Sequence, residues 1–194
     1  MRITGGTAKG RKLCSPKGAG DAIRPTSDRV REALFSILGG KVPGARVLDL
    51  FAGTGSLGLE ALSRGATSTV FVDHSPRALE LIRANLLHGF PLTAPELFKL
   101  DLSRPAAFGS LARKLASGRQ FDLVFLDPPY EKKLAEQALI MVEKSGLVAA
   151  GGCVIAEERW KVILPEEAGC LRLFLHRRYG ETGIWLYATE NRAL

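Results

Sequence analysis

The chain has 194 residues, of which 46% are hydrophobic and 24% charged, and its formal net charge at pH 7 is +7. This length suffices for a sizeable core, no linker or repeat divides the chain, and no apolar segment is long enough to span a bilayer. We expect a cytoplasmic protein without a signal peptide, whose three widely spaced cysteines (Cys14, Cys153 and Cys170) are reduced rather than joined in disulfides or bound to zinc.

The positive charge is concentrated at the amino end. Residues 1–46 contain ten Lys or Arg and three Asp or Glu, whereas residues 47–194 contain seventeen of each kind. A body of balanced charge therefore carries a cationic arm, which is the pattern expected for binding phosphates. A solvated basic tail is the alternative. Interleaved glycines argue against a helix in the arm, so it either lies along RNA or forms a small hairpin at the edge of a sheet.

Regular elements follow the arm. Ser27 is predicted to cap a helix that reaches about Leu38. Strands are predicted near residues 46–51, 69–73, 97–101, 121–126 and 152–157, and helices near 57–64, 75–88, 104–116 and 131–145, with Ser75-Pro76 as a helix start. This alternation predicts an α/β fold with a parallel sheet. The last strands, near 171–176 and 183–188, are predicted to form an antiparallel hairpin. We treat 1–45 as arm and helix, and 46–194 as the core of a single domain.

The first strand runs into a glycine-rich turn, Phe51-Ala52-Gly53-Thr54-Gly55-Ser56-Leu57-Gly58. Gly53, Gly55 and Gly58 satisfy the dinucleotide-binding fingerprint. Asp73 follows Gly53 by 20 positions and ends the next strand, where a carboxylate can bond both hydroxyls of a ribose. A nicotinamide cofactor and S-adenosylmethionine both carry an adenosine ribose, so the fingerprint leaves both open.

The most informative stretch is Asp127-Pro128-Pro129-Tyr130, which follows the apolar strand near 121–126. Two prolines cannot continue a ladder, so the chain leaves the sheet as a stiff loop at the carboxyl end of a strand, where ligands bind in open α/β sheets. An ordinary turn with Asp127 as a helix cap is the alternative. Hydride transfer has no obvious use for this loop, and Asp49, inside the first strand, suits a cationic cofactor. Both features favour a methyltransferase.

These motifs resemble the amino-methylating class of adenosylmethionine-dependent methyltransferases. At the amino end, Gly10-Arg11-Lys12-Leu13 and the block from Arg24 to Phe35 (RPTSDRVREALF) resemble the RsmD family of bacterial small-subunit (16S) ribosomal RNA guanine-N2 methyltransferases. Tyr179-Gly180-x-Thr182 extends the resemblance to nearly the whole chain. The family implies a Rossmann-like class I methyltransferase fold, a seven-stranded sheet and S-adenosylmethionine as cofactor. A proline and a cation in Asp101-Leu102-Ser103-Arg104-Pro105 depart from the pattern, just where adenine is expected to bind.

The site residues follow from these motifs and from the resemblance. Catalytic roles are expected for Asp127, Pro128, Pro129 and Tyr130. Cofactor contacts are expected for Thr26, Asp49, Phe51, Ala52, Gly53, Thr54, Gly55, Asp73, His74, Asp101 and Leu102. RNA contacts are expected for Arg11, Lys12, Arg24, Arg29, Arg31 and Tyr179, although Arg29 and Arg31 cannot both face one side of a helix. The alternatives to these cofactor contacts are that Asp49 is a capped buried carboxylate and that Asp101 caps the next helix. The histidines lack metal-ligand spacing, and no metal is expected.

The resulting hypothesis is a monomeric methyltransferase acting on N2 of a guanine in small-subunit ribosomal RNA, within an assembling 30S particle. Methylation of adenine N6 in DNA or another RNA would use the same tetrapeptide. A third hypothesis is a non-catalytic RNA-binding protein that retains the fold.

Overall fold

A computed structural model of the chain describes residues 1–15, 27–90, 96–115, 118–130 and 133–189. The predictions for Arg24 and Thr26 lie outside the described residues. The chain divides into two compact units, Met1–Lys99 and Leu100–Leu194, and each is described by itself.

The first unit alternates helices and strands. Its elements are α1 (Asp28–Leu38), a short 3-10 helix (Gly39–Lys41), β1 (Arg46–Leu50), α2 (Ser56–Ser63), β2 (Ser68–Asp73), α3 (Pro76–Gly89) and β3 (Glu96–Lys99). The strands are parallel in the order β3-β2-β1, with Leu50 opposite Val72 at the carboxyl ends of β1 and β2. Strands β1 and β2 are almost wholly buried, as expected for a parallel sheet covered on both faces.

Residues 1–13 form a hairpin rather than a loose tail. Arg2 and Lys12 make an antiparallel bridge, and the Ile3 N–H donates to the Arg11 carbonyl at 2.9 Å. The hairpin buries Ile3 and Leu13 in a cluster that includes Phe71 and Ile82. Between its strands, the Thr7 N–H donates to the Ser63 carbonyl at the end of α2 at 2.7 Å. Of the arrangements expected for the arm, the structure therefore has the hairpin, and for these residues it excludes a solvated tail.

The second unit holds the remaining elements. They are α4 (Ala106–Lys114), β4 (Phe121–Leu126), α5 (Leu134–Lys144), β5 (Val148–Arg159), β6 (Glu167–Ala168), β7 (Leu171–Tyr179) and β8 (Thr182–Thr189). The strand order is β4-β5-β8-β7-β6. Strands β4 and β5 are parallel, and the pairs β5–β8, β8–β7 and β7–β6 are antiparallel.

The predicted α/β class and the antiparallel hairpin at the carboxyl end are confirmed. Both predicted caps are present: the hydroxyls of Ser27 and Ser75 accept from the N–H groups of Val30 and Ala78. The described residues form eight strands rather than the expected seven, because the two-residue strand β6 adds to the edge of β7. No helix in the described part of the chain is long and apolar enough to cross a membrane.

Candidate active site

The turn after β1 is tightly wound. Phe51, Gly53 and Gly55 have φ angles of 60°, 55° and 76°, in the left-handed region. Phe51 is the only one of the three that is not glycine. A side chain at positive φ is strained, and such strain concentrates at functional sites. The Gly55 N–H donates to the Ala52 carbonyl at 2.7 Å and closes the turn, after which α2 begins at Ser56. Ala52 and Thr54 are buried within this turn.

Asp73, the last residue of β2, braces the turn. Its Oδ2 accepts from the Gly53 N–H at 2.8 Å and its Oδ1 accepts from the Ser75 N–H at 2.8 Å. The exposed His74 places Nδ1 3.3 Å from Asp73 Oδ1. Each carboxylate oxygen keeps a second lone pair, so this bracing is compatible with the ribose contact expected for Asp73.

Asp49 is a buried carboxylate in the middle of β1. Its side chain faces α2, where Oδ2 accepts from the Gly58 N–H at 2.9 Å. Burial raises the pKa of Asp49 to about 8, the hydrogen bond from Gly58 opposes the rise, and the negative charge of Asp73 adds to it. A cationic ligand would compensate the buried charge. The residues of this unit therefore fit a cofactor that carries an ammonium and a sulfonium group.

Asn85 joins the amino-terminal hairpin to the glycine turn. It lies on α3, is buried, and its Nδ2 donates to the carbonyls of both Cys14 and Thr54 at 3.2 Å. Its Oδ1 accepts from the Cys14 N–H at 2.6 Å. One side chain thus bonds the end of the hairpin and the middle of the turn.

In the second unit, Asp127-Pro128-Pro129-Tyr130 directly follows β4, as predicted. Pro128 is buried, whereas Pro129 is exposed and Asp127 is half-buried. The Tyr130 hydroxyl donates to Glu157 Oε1 at 2.7 Å and lies 3.2 Å from Thr182 Oγ1. Burial, followed by the charge of Glu157, raises the pKa of Tyr130, so the phenol stays protonated and can donate. The loop is therefore anchored to the carboxyl end of β5 and to the first residue of β8.

Asp101 follows β3 by two residues, because that strand ends at Lys99 rather than at the predicted residue 101. Its Oδ1 accepts from the N–H and hydroxyl of Ser103, at 3.1 and 2.6 Å, and its Oδ2 lies 3.3 Å from Arg104 Nε. Asp101 therefore closes the turn before α4 without capping the helix, whose N-cap position is Pro105, and its carboxylate is half exposed. Leu102 beside it is buried.

The two arginines of α1 have opposite environments. Arg31 is fully buried; it pairs with Glu60 at 3.2 Å and Asp28 at 2.9 Å, and also donates to the Arg2 carbonyl. The prediction that Arg31 contacts RNA is therefore wrong in this structure, because its guanidinium is sealed inside the first unit. Arg29 is exposed.

The other predicted RNA contacts lie at surfaces. Arg11 and Lys12 are exposed on the hairpin, where Arg11 Nη1 donates to the His88 carbonyl. Tyr179 is half-buried at the end of β7. Within the described residues, no group of three or more His, Cys, Asp or Glu side chains could hold a metal ion.

Comparison with known proteins places the chain in a family. The family model described as "Conserved hypothetical protein 95" matches residues 1–188. The chain belongs to this family.

Two relatives from this comparison have nearly the same length. The Ribosomal RNA small subunit methyltransferase D of Escherichia coli K12 is 32% identical over 190 residues, covering 98% of this chain and 90% of that protein. The "Putative rRNA methyltransferase YlbH" of Bacillus subtilis strain 168 is 36% identical over 187 residues, covering 96% and 98%. The solved structure of "Putative methyltransferase yhhF from Escherichia coli" superposes with a TM-score of 0.82 at 32% identity, covering 99% of each chain. The chain accordingly has the α/β methyltransferase fold and is a methyltransferase.

Three buried polar residues that position other groups were not singled out from the sequence. Glu157 ends an apolar run in β5, Asn85 lies among apolar residues on the buried face of α3, and Glu60 interrupts the apolar helix α2. Each is a polar residue at a buried position, which is the same signal that made Asp49 informative. Each of these residues bonds a partner that is distant in the chain: Tyr130, Cys14 and Arg31 lie 27, 71 and 29 residues away, respectively. The sequence pattern therefore identifies the buried polar residue but not its partner.

Proposed function

We propose that this chain transfers a methyl group from S-adenosylmethionine to the exocyclic N2 of a guanine in small-subunit ribosomal RNA. The nearly full-length relationship to a Ribosomal RNA small subunit methyltransferase D supports the substrate class. The observation that carries the chemistry is the anchored Asp127-Pro128-Pro129-Tyr130 loop, in which the Tyr130 ring is fixed by the 2.7 Å bond of its hydroxyl to Glu157.

The residues of the first unit would hold the cofactor. Asp49 offers a buried negative charge for the methionine ammonium, and Asp73 offers its remaining lone pairs to the ribose hydroxyls. The backbone of Gly53 and Gly55 allows close approach of the ligand. Phe51, Ala52 and Thr54 belong to the same turn and His74 follows Asp73, and we propose cofactor contacts for all four. We also propose adenine contacts for Asp101 and Leu102 and a closing role for Thr26. When bound, S-adenosylmethionine supplies a methyl group that the positive sulfur has already activated.

We call Asp127-Pro128-Pro129-Tyr130 the acceptor loop. It must overcome the weak nucleophilicity of an aromatic amine. The lone pair of guanine N2 is delocalised into the ring, so it becomes available when the nitrogen turns pyramidal. The Asp127 carboxylate and the Pro128 carbonyl would accept hydrogen bonds from the amine and favour that geometry. The Tyr130 ring offers a face for the base to stack on. The prolines keep the loop preorganised, and Asp127 or solvent can take the proton after transfer.

We propose that RNA contacts come from exposed cations near the amino end and from the end of β7. Arg11 and Lys12 lie on the hairpin, Arg29 lies on α1, and Tyr179 is the last residue of β7. These side chains offer charge and one aromatic ring, but little surface for reading a sequence. An assembling 30S particle would supply the shape that is recognised, with the enzyme acting as a cytoplasmic monomer.

Adenine N6 methylation is the rival, because the same loop could hold that amine. Mass analysis of nucleosides from the RNA of a strain lacking this protein separates the two. Loss of N2-methylguanosine from small-subunit RNA, restored by the intact chain and not by an Asp127→Ala variant, is the expected result. Loss of N6-methyladenine instead would refute the guanine assignment.

A further inference from the structure

A cationic and aromatic cluster lies where β5 ends and β7 turns into β8. We define this Trp160 cluster by Trp160, Lys161 and Arg178. The Arg178 guanidinium carbon sits 3.6 Å from the centroid of the Trp160 ring, and Lys161 Nζ sits 6.0 Å from it. Arg178 Nε also donates to the Gly180 carbonyl at 2.8 Å. Two contacts thus fix the guanidinium plane while 51% of the side chain stays exposed.

The Trp160 cluster adjoins the acceptor loop through the backbone of β8. Thr182, which lies 3.2 Å from the Tyr130 hydroxyl, pairs with Arg159 of β5 and with Tyr179 of β7. The next residue, Gly183, pairs with Arg178. Trp160 follows β5 just as Asp127 follows β4, and those two strands are parallel. The cluster and the acceptor loop therefore lie at the same end of the strands of the second unit.

The cluster contains one polar group that has no partner among the described residues. Trp160 Nε1 is buried and has no hydrogen-bond partner among them, which is unusual for an indole. The neighbouring carboxylates are mostly committed: Glu157 accepts from Tyr130, and Glu158 accepts from the Arg159 N–H at 2.8 Å. Glu181, at 4.0 Å, is only at the limit of an ion pair with Arg178. Over residues 157–161 and 176–181, four Lys or Arg side chains stand against three Glu side chains, so the formal charge of the two segments together is +1.

The surroundings extend the cluster into a surface. His176, two residues before Arg178 and on the same face of β7, is exposed and stacks on the Trp185 ring with centroids 4.3 Å apart. Ile163, in the segment after Trp160, is 91% exposed. Cations, stacked rings and an exposed apolar side chain beside the Asp127-Pro128-Pro129-Tyr130 loop match the chemistry of a single-stranded or looped RNA, whose phosphates and unstacked bases are both available.

We infer that the Trp160 cluster binds the RNA strand that flanks the target nucleotide, with Arg178 and Lys161 on phosphates and the free face of the Arg178 guanidinium against a base. Arginine suits this position because its plane can stack and donate at once. This inference rests on the proposed function, since it takes RNA as the substrate. It assigns a contact surface at the opposite end of the sequence from the basic hairpin.

The test measures the RNA dissociation constant of Arg178→Ala over a series of KCl concentrations, with a labelled small-subunit RNA fragment as the probe. Loss of one phosphate contact should weaken binding about tenfold at low salt and reduce the salt slope by about 0.7 to 0.9. Lys114→Ala is the matched control, because it removes one exposed cation from the last turn of α4. It should bind within about twofold of the unchanged protein, and neither variant should alter cofactor affinity.

The Arg178→Lys variant tests whether weaker RNA binding by Arg178→Ala results from misfolding. It should keep the salt slope, because the charge remains, but recover only part of the affinity, because the stacking plane is gone. Equal RNA affinity of Arg178→Ala and the unchanged protein would overturn the inference. So would a variant that binds naked RNA normally and loses activity only on assembled subunits, since that points to a ribosomal protein as the partner. Failure of the unchanged protein to methylate ribosomal RNA would instead refute the proposed function, and that readout is independent of the binding ratio.

Discussion

The side chain of Asn85 holds both backbone polar groups of Cys14, accepting from its N–H at 2.6 Å and donating to its carbonyl at 3.2 Å. The same amide donates to the Thr54 carbonyl in the glycine turn. The hairpin proposed to contact RNA and the turn proposed to hold the cofactor are thus tied through one buried residue. This arrangement explains how a hairpin rich in glycine and charge is held against the rest of the first unit.

Asn85→Ala should loosen this connection. It leaves buried backbone groups without partners, so the free energy of unfolding should fall by about 1–3 kcal/mol in chemical denaturation. Cofactor binding, measured by calorimetry, should weaken at the same time. Gln137→Ala is the matched control, because it removes an exposed bond from Gln137 Nε2 to the Ser103 carbonyl and should cost less than about 0.5 kcal/mol. Unchanged stability and cofactor affinity in Asn85→Ala would contradict the role assigned to this residue.

Asp49 should make stability depend on pH. Its pKa is about 8 when folded and near the ordinary 3.8 when unfolded. Between these values the folded chain binds a proton that the unfolded chain does not, so this group lowers stability progressively as pH rises from about 4 to 8. The isosteric Asp49→Asn variant should lack this contribution. The difference in unfolding free energy between variant and unchanged protein should therefore grow in favour of the variant from pH 5 to pH 8, and a constant difference would refute the assignment.

The same carboxyl group should couple cofactor binding to protons. A cationic ligand favours ionised Asp49, so the affinity for S-adenosylmethionine should rise with pH up to about 8 and then level off. Calorimetry at pH 7 in buffers of different ionisation enthalpy should detect proton release on binding. Asp49→Asn should bind more weakly and lose this dependence. If both proteins show the same pH profile, Asp49 is not the ammonium partner.

Arg29 and Arg31 form a matched pair on one helix. Arg31→Ala removes one of the two arginines that pair with the buried Glu60, while Arg64 stays at 2.8 Å, so it should cost about 2–3 kcal/mol of stability. Arg29→Ala removes an exposed charge, so its stability should stay within about 0.5 kcal/mol. For RNA affinity the order should be reversed: Arg29→Ala should weaken RNA binding and reduce the salt dependence of the dissociation constant more than Arg31→Ala does. A stable Arg31→Ala variant with impaired RNA binding would restore the original prediction for Arg31.

The hydroxyl of Tyr130 should matter for turnover. Tyr130→Phe keeps the ring but removes its bond to Glu157, so the loop is less fixed and kcat should fall about tenfold with cofactor affinity unchanged. Tyr187→Phe is the control, because it removes a comparable bond, from a phenol to the Pro165 carbonyl at 2.8 Å, elsewhere in the second unit. Both variants should lose similar stability, but only Tyr130→Phe should lose turnover. Equal kcat values for the two variants would show that the anchoring bond has no role in the reaction.

The order of elements could be predicted because the periodicity of apolar residues and the capping signals are local. Ser27 and Ser75 begin their helices where the sequence indicates, and the antiparallel hairpin follows from its short connection. The two-residue strand β6 could not be predicted, since Glu167 and Ala168 carry no strand pattern and pair only because β7 lies beside them.

The site was less predictable wherever a role depends on a distant partner. Arg31 and Arg29 look alike in sequence, and only Glu60, 29 residues away from Arg31, distinguishes them. Asp101 was expected at the end of a strand, but β3 ends at Lys99, and the carboxylate then bonds its own turn. Asp49 and Glu157 are different, because each is a carboxylate within an apolar strand. Such a position indicates a buried charge that needs a partner, even before the partner is known.

The central claim is tested most directly by transfer of a labelled methyl group from S-adenosylmethionine by the purified protein, offered in parallel to naked small-subunit RNA, assembled small subunits and duplex DNA, with the product nucleoside identified. The account predicts N2-methylguanosine on RNA or subunits, and its loss in an Asp127→Ala variant that still binds the cofactor. N6-methyladenine as the product, or undiminished transfer by Asp127→Ala, would contradict it.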